Sequence, residues 1–146
     1  MSERWKYFLP GYLWSLPNTL IGVLLMLWYL PTSIRWKDGC IEAIPRKTLI
    51  GGPLVGAQTF GWIIFCRDEH QRSRSSLAVH ERVHVVQGFI LGPLFLPLYG
   101  LPFLWCYYVR GYTFDRAYRA IWAEVQAYRI GDLHQAGVSP DAWGSR

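Results

Sequence analysis

The chain has 146 residues, a length for which one domain is expected; 51% of them are apolar and only 17% are charged. Soluble proteins carry roughly 25% charged residues, so this composition favours contact with a membrane or a large partner. The net charge of +5 comes from scattered Arg and Lys residues without a nucleic-acid-binding motif, which argues against nucleic acid as a partner. The three cysteines form no C-x-x-C pair, which argues against a disulfide framework and a cysteine-type zinc site.

An uncharged stretch near the start of the chain covers residues 7–34. Proline interrupts it three times, so the uninterrupted helix that we predict is short, from about Asn18 to Leu30. Trp28 and Tyr29 are typical of a helix end at a membrane interface, and they stand where a signal peptide would carry small residues. We therefore predict an apolar segment over residues 1–36 that associates with membrane lipid; without that association we expect a cytoplasmic protein.

A region of globular character follows. We assign residues 37–134 to a metal-binding domain and residues 135–146 to a C-terminal tail. Residues 39–49 predict an extended segment, and glycine and proline at positions 51–56 predict a turn. Thr59–Phe65 is rich in β-branched and aromatic residues, which predicts a strand. Together these segments favour an α+β fold with a small antiparallel sheet.

The motif HERVH at residues 80–84 lies in a predicted helix that runs from about Ser76, with a serine as N-cap, to Leu91. On a helix, His80 and His84 lie on one face, roughly 6 Å apart at Cβ, so both imidazoles can bind one metal ion. Glu81 lies about 100° round the helix, where its carboxylate can act as general base on a metal-bound water without being a ligand. This pattern predicts a Zn²⁺ site of the metallopeptidase type.

A catalytic zinc needs three protein ligands and an open fourth position. Residues 113–130 predict one helix, and Glu124 lies on its face of small and apolar residues, where an unpaired carboxylate is costly. We therefore expect Glu124 to complete the ligand set with His80 and His84. A salt bridge between Glu124 and an arginine such as Arg82 is the alternative.

The two remaining histidines, His70 and His134, are expected at the surface. Hydrolysis by such a site also needs a donor to the negative charge that develops on the carbonyl oxygen. Tyr128, Tyr112 or His70 can supply this donor, and the sequence does not choose among them.

A second uncharged run extends from Val83 to Val109 and contains three prolines. The ligand set constrains its path. If this run crossed a membrane once, Glu124 would lie on the opposite side from His80, and one ion could not bind both. The run must therefore enter and return, or lie outside the membrane.

With HERVH and a glutamate on a later helix, the chain resembles the gluzincins, zinc metallopeptidases that bind the metal through H-E-x-x-H and a downstream Glu. The segment WAEVQAYR, with Glu124 followed by Ala127, is similar to the E-x-x-A around their glutamate. The resemblance implies a minimal zincin-like domain in which a strand, here within TFGWIIF, borders the substrate cleft. It also implies Zn²⁺ as the cofactor and a peptide or protein as the substrate.

The order of segments also resembles a group of small uncharacterised bacterial HExxH proteins with an N-terminal apolar segment. The shared features are that segment, here at residues 16–30, and the stretches GAQTFGWIIF, HERVHVVQ and LGPLFLPLY, which together cover most of residues 16–130. That group often has N-P-F-E before its last helix, whereas this chain has YTFDRAYRAIWAE. The resemblance therefore makes Asp115 the alternative to Glu124 as third ligand.

These features favour a zinc-dependent, metallopeptidase-like hydrolase that cleaves peptide bonds with zinc-activated water. His80, His84 and Glu124 are the expected metal ligands, and Glu81 is the expected general base. Two alternatives remain open: a non-catalytic zinc-binding or structural protein at a membrane, and a small membrane protein with no metal.

Overall fold

Four short strands form a sheet at the centre of the fold in the computed structural model, which describes residues 9–137. The strands are β1 (Ser33–Lys37), β2 (Cys40–Ile44), β3 (Ala57–Phe60) and β4 (Ile63–Cys66). Their order is β1-β2-β4-β3; β2 and β4 are parallel and the other neighbours are antiparallel. The α+β class is as predicted. The sheet, however, is mixed rather than antiparallel, because β4 and not β3 lies beside β2.

The segment Thr59–Phe65, predicted as one strand, contains parts of two strands joined by a tight turn. Gly61 has φ 62 and lies between β3 and β4. A side chain at Gly61 would overlap Thr19, so the turn requires glycine for its backbone angle and for the close approach of the chain. The turn places β4 inside the sheet, where all four of its residues are buried.

Two helices precede the sheet, α1 (Leu9–Trp14) and α2 (Leu16–Tyr29). α2 corresponds to the predicted apolar helix. Its last residue, Tyr29, is fully buried against Phe65, with ring centroids 5.0 Å apart. α2 therefore shares a core with the sheet, and the predicted boundary at residue 36 falls within β1. Parts of two predicted segments, residues 1–8 and 138–146, lie outside the described residues.

The short helix α3 (Glu69–Ser73) leads into α4 (Ser75–Leu91), which carries HERVH. α4 has nearly the predicted bounds. Its N-cap residue is Arg74 rather than a serine, and no side chain caps its first turn. Gly92, with φ 55, follows the last helical residue, and this conformation ends α4 where the sequence predicts.

After α4 the chain runs out and back as a helical hairpin. The outgoing arm consists of the turn Gly92–Leu94, α5 (Phe95–Leu104) and a π-helical turn (Trp105–Val109); α6 (Phe114–Arg119) begins the return. The ring of Phe114 lies 5.2 Å from that of Phe103, and the Trp122 indole donates to the Leu98 carbonyl at 3.0 Å. These contacts are antiparallel, so the return brings the chain back towards α4.

By length and composition, the helical run Ser75–Val109 is the one helix within residues 9–137 that is long and apolar enough to cross a membrane. Core helices of soluble proteins can pass the same test. The hairpin is inconsistent with a simple crossing, because the residues that follow it lie beside the start of the run. The chain thus returns, as a shared metal site would require.

The helix predicted for residues 113–130 is broken in two. Thr113 caps α6 as predicted, its hydroxyl accepting from the Arg116 amide at 3.4 Å. Ile121 then adopts an extended conformation and is buried in a cluster with Phe95 and Ala123. Burial of this one side chain redirects the chain into α7, which spans Trp122–Gln135.

α7 packs along α4 through small residues. Ala123 and Ala127 have no exposed surface, and a side chain added at Gly131 would lie 3.4 Å from the Ser76 carbonyl oxygen. The absence of larger side chains lets the two helices approach closely. Polar groups that project from each helix can therefore meet across the contact.

The alanine-lined contact predicts a stability effect. Ala127→Leu adds volume where no exposed surface exists, and it should lower the free energy of unfolding by about 1–3 kcal/mol. Ala120→Leu, the same change at an exposed position, should alter it by less than about 0.5 kcal/mol. Chemical denaturation followed by circular dichroism measures both variants. Equal stability of the two would contradict the close helix contact.

Candidate metal centre

Three buried polar side chains meet between α4 and α7. His80 and His84 project from α4 and Glu124 from the first turn of α7, with only 6%, 5% and 0% of their surfaces exposed. The two histidine Nε2 atoms lie 3.2 Å apart. Glu124 Oε2 lies 3.2 Å from Nε2 of His80, and Oε1 lies 3.1 Å from Nε2 of His84.

These distances suit a single metal ion. A tetrahedron with metal–ligand bonds of 2.0–2.1 Å has edges of about 3.3–3.4 Å, close to the spacing of the three side chains. Glu124 Oε2 is buried and accepts no hydrogen bond from the described residues, although the His80 ring lies beside it. A buried oxygen left in this way fits a cation held jointly by the carboxylate and the imidazoles.

Local structure explains why these three residues converge. His80 and His84 are one helical turn apart, which places both rings on the side of α4 that faces α7. The small residues of α7 let its backbone approach, and Gly131 passes near the His80 side chain. Glu124 thus reaches both rings from the opposite helix.

The orientation of His84 is fixed by a chain of hydrogen bonds. Its Nδ1 lies 2.8 Å from Oε1 of Gln87, and the Gln87 amide donates to the Ala123 carbonyl at 3.2 Å and to Gln126 Oε1 at 2.7 Å. A donor bond from Nδ1 leaves the Nε2 lone pair for a metal, the usual arrangement around metal-binding histidines. Gln87 therefore links the orientation of a ligand on α4 to the backbone of α7.

Tyr99, on the outgoing arm of the hairpin, completes the surroundings of Glu124. Its hydroxyl donates to Glu124 Oε1. The sequence analysis did not identify this residue; its only signal is a phenol, one of three in the run from Val83 to Val109. The bond ties the hairpin to the metal centre.

The electrostatics keep Glu124 ionised. Burial raises its pKa, but the adjacent imidazoles of His80 and His84 outweigh that effect and hold the pKa of this carboxyl well below its usual range. Burial lowers the pKa of His84, but Glu124 and the charge of Glu81 outweigh it and raise that pKa above its ordinary value. The site therefore carries a fixed negative charge that attracts either a proton or a metal cation.

Glu81 lies outside the group of three. Its carboxylate is buried and accepts a 2.6 Å hydrogen bond from the hydroxyl of Thr59 on β3. It still borders the same region, because it follows His80 directly on α4. α4 thus presents its histidines to α7 and its glutamate to strand β3.

The other acidic and basic candidates lie elsewhere. Asp115 is exposed and pairs with Arg119 at 3.0 Å, so the structure does not bring it to the two histidines. Arg82 pairs with Asp38 at 2.8 Å and with Glu42, rather than with Glu124.

Of the remaining histidines and the tyrosine candidates, some lie at the centre and some lie away from it. His70 and His134 are exposed, as expected. The ring of Tyr128 lies 4.6 Å from that of His80, whereas Tyr112 packs under the Arg116 guanidinium at 4.0 Å. Of the proposed oxyanion donors, Tyr128 is the one that contacts a residue of the centre.

The donor set of two imidazoles and one carboxylate suits several divalent metals, zinc among them. It leaves a fourth position of a tetrahedron for another ligand. Comparisons with protein-family models, with curated proteins and with solved structures give no match for this chain.

Metal binding by this group predicts about one zinc ion per chain. Glu124→Gln keeps the shape of the side chain but removes its charge, and it should abolish stoichiometric binding. Gln87→Ala should weaken binding by about 10–100-fold, because the orientation of His84 is then no longer fixed. His134→Ala, at an exposed histidine, is the control and should bind like the wild type. Elemental analysis and competition with a chelator measure these effects; full zinc content in Glu124→Gln would contradict the assignment.

The two pKa shifts predict opposite pH dependences with and without metal. In the metal-free protein, ionised Glu124 stabilises the fold above the ordinary Glu pKa of about 4.3, and protonated His84 stabilises it below the ordinary His pKa of about 6.5. The pair therefore contributes most between these values. Its contribution falls as the pH drops through the lowered pKa of Glu124 or rises through the raised pKa of His84.

Zinc binding requires deprotonated His84, so the stabilisation by zinc should instead grow as the pH rises through the raised pKa of His84. Thermal unfolding with excess zinc and with chelator, across this range, measures both trends. Parallel pH profiles in the two conditions would contradict a shared proton and metal site.

Proposed function

We propose that this protein is a metal-dependent hydrolase of the gluzincin type, with zinc held by His80, His84 and Glu124, and that it cleaves peptide bonds. The observation that carries the proposal is the position of Glu81. It follows one ligand directly in sequence but is not one of the three ligands, and its carboxylate is oriented by a hydrogen bond from Thr59. A structural zinc site has no need of such a carboxylate, whereas hydrolysis needs a base beside the metal.

The chemistry divides among these side chains. A zinc ion bound here would supply an activated water and polarise the carbonyl of the scissile bond. Glu81 accepts the proton of the attacking water and delivers it to the leaving amine. Thr59 orients the Glu81 carboxylate through its hydroxyl, and Tyr128, packed on His80, is the candidate donor to the carbonyl oxygen.

A peptide substrate is favoured by the strand beside Glu81. β3 is at one edge of the sheet and packs against α4, and within residues 9–137 no further strand pairs with it. An extended peptide can add to such an edge through backbone hydrogen bonds. This arrangement would bring a substrate backbone alongside Thr59 and Glu81, in line with the resemblance to zincin-like domains.

A non-catalytic zinc site is the second candidate, and the burial of the centre favours it. His80, His84 and Glu124 are almost completely covered, and the cavity beside Glu81 has a volume of only about 10 Å³. Such a space is about the size of one water molecule. Under this second hypothesis the metal joins α4 to α7, and Glu81 contributes only its bond to Thr59.

Glu81→Gln discriminates between the two candidates. In an enzyme, this change removes the base but none of the ligands, so hydrolysis should fall by at least about 10²–10⁴-fold while the zinc content is retained. Glu69→Gln, at an exposed glutamate of α3, is the matched control and should keep full activity. Cleavage of a peptide library, read by mass spectrometry, measures activity alongside metal analysis. Zinc-loaded wild type that cleaves no peptide would favour the structural site.

A further inference from the structure

The helix α2 is oriented with its polar residues inside. Its buried side chains include Asn18 and Thr19, and the Asn18 amide donates to the Gly92 carbonyl at 2.7 Å. Its exposed face consists of apolar residues at helical spacing: Leu16, Leu20, Val23, Leu24 and Leu27. A surface helix in water normally has the opposite orientation. This arrangement is expected when the surroundings of the protein are themselves apolar.

The outgoing arm of the hairpin has the same character. Its exposed large side chains are Leu94, Leu98, Leu101, Leu104, Trp105, Tyr107, Tyr108 and Val109. No charged residue interrupts the sequence between Arg82 and Arg110. The phenol of Tyr99 is instead turned inward to Glu124, whereas the phenols Tyr107 and Tyr108 lie at the far end of the arm.

The two apolar faces are joined at Gly92. Asn18 of α2 is bonded to its carbonyl, and the Trp14 indole packs so closely over Gly92 that no side chain would fit there. α2 and the hairpin are therefore held together at this one position of the fold. We call their combined exposed face the apolar surface, formed by the exposed residues of α2 and of residues 94–109.

Charge complementarity identifies the occupant of this surface. Between Glu3 and Asp38, and again between Glu81 and Asp115, the chain has no acidic residue, whereas the exposed cation Arg110 follows the second apolar segment. Lys47 lies 3.9 Å over the ring of Trp28 at the end of α2. Apolar helices with aromatic ends and adjacent cations match a bilayer with anionic headgroups.

The length of α2 limits how the protein can insert. α2 has 14 residues and is about 21 Å long, shorter than the roughly 30 Å of a hydrocarbon core. The hairpin returns to α4, and its turn carries the exposed Arg110 and is followed by the exposed Asp115, so the turn belongs at the level of the headgroups. We propose that the apolar surface seats the protein in one leaflet of an anionic phospholipid bilayer, with α2 and the outgoing arm lying along the membrane interface rather than crossing the bilayer.

The first test is flotation of the purified full-length protein with vesicles of phosphatidylcholine containing a minor fraction of phosphatidylglycerol. The wild type should float with the vesicles. The double changes Leu20→Glu/Leu24→Glu in α2 and Leu101→Glu/Leu104→Glu in the hairpin should each reduce the bound fraction at least about tenfold. Val125→Glu, at an apolar residue of α7 that is 54% exposed and outside the surface, should float like the wild type.

The second test examines the interfacial position of the hairpin with a membrane-impermeant maleimide added outside the vesicles. Burial raises the pKa of Cys40 to about 11 and that of Cys66 to about 12, so both native thiols should stay unreactive. In a Cys106→Ser background, Arg110→Cys beyond the hairpin arm and His134→Cys after the metal centre should both be labelled. Protection of Arg110→Cys alone would show a crossing and overturn the proposal.

Two further outcomes would also overturn it. A wild-type protein that is monodisperse in detergent-free buffer and does not float does not bind lipid through this surface. A protein that forms a dimer without lipid, and dissociates when the apolar surface carries the same glutamates, uses that surface to bind a second copy. Zinc content is measured on every variant, so loss of lipid binding is distinguished from loss of the metal centre.

Discussion

A carboxylate with no exposed surface imposes the strongest constraint on this fold. Glu124 is kept ionised between two imidazoles, and leaving such a charge buried without partners would be strongly destabilising. Its partners are about forty residues earlier in the sequence, on another helix. Everything between them must therefore form a closed excursion that starts at α4 and ends beside it. The hairpin, the break at Ile121 and the alanine-lined contact are the means by which the chain satisfies this one requirement.

Hydrogen bonds around the three side chains hold them in place from both sides of the contact. Gln87 connects His84 to the backbone of α7, and Tyr99 connects Glu124 to the hairpin. Glu81 lies outside the group of three and is bonded to strand β3. α4 thus contributes to two features, a group of side chains that could hold a cation and a sheet edge with a carboxylate beside it. This division is what gives the hydrolase proposal its physical basis.

Much of the centre could be predicted from sequence because helix periodicity is local. The spacing of His80 and His84 and the small residues around Glu124 needed no knowledge of the rest of the fold. The break before α7 was not predictable in this way, because it depends on burial of Ile121 against Phe95, a contact between distant segments. Similarly, Gly61 divides an apolar run into two strands because Thr19 lies against the turn. The role of Tyr99 depends on where the hairpin returns, which no local pattern specifies.

The bond between Tyr99 and Glu124 has a further consequence, because its two ends belong to different parts of the molecule. Tyr99 belongs to the hairpin, whereas Glu124 belongs to the candidate metal centre. Any displacement of the hairpin that lengthens this bond changes how strongly the carboxylate attracts a cation, and by thermodynamic reciprocity cation binding restrains the hairpin. If the centre holds a cation, the packing around residues 94–109 and the occupancy of the centre are therefore linked. A change in the surroundings of the hairpin would then alter the cation affinity of the centre through one phenol.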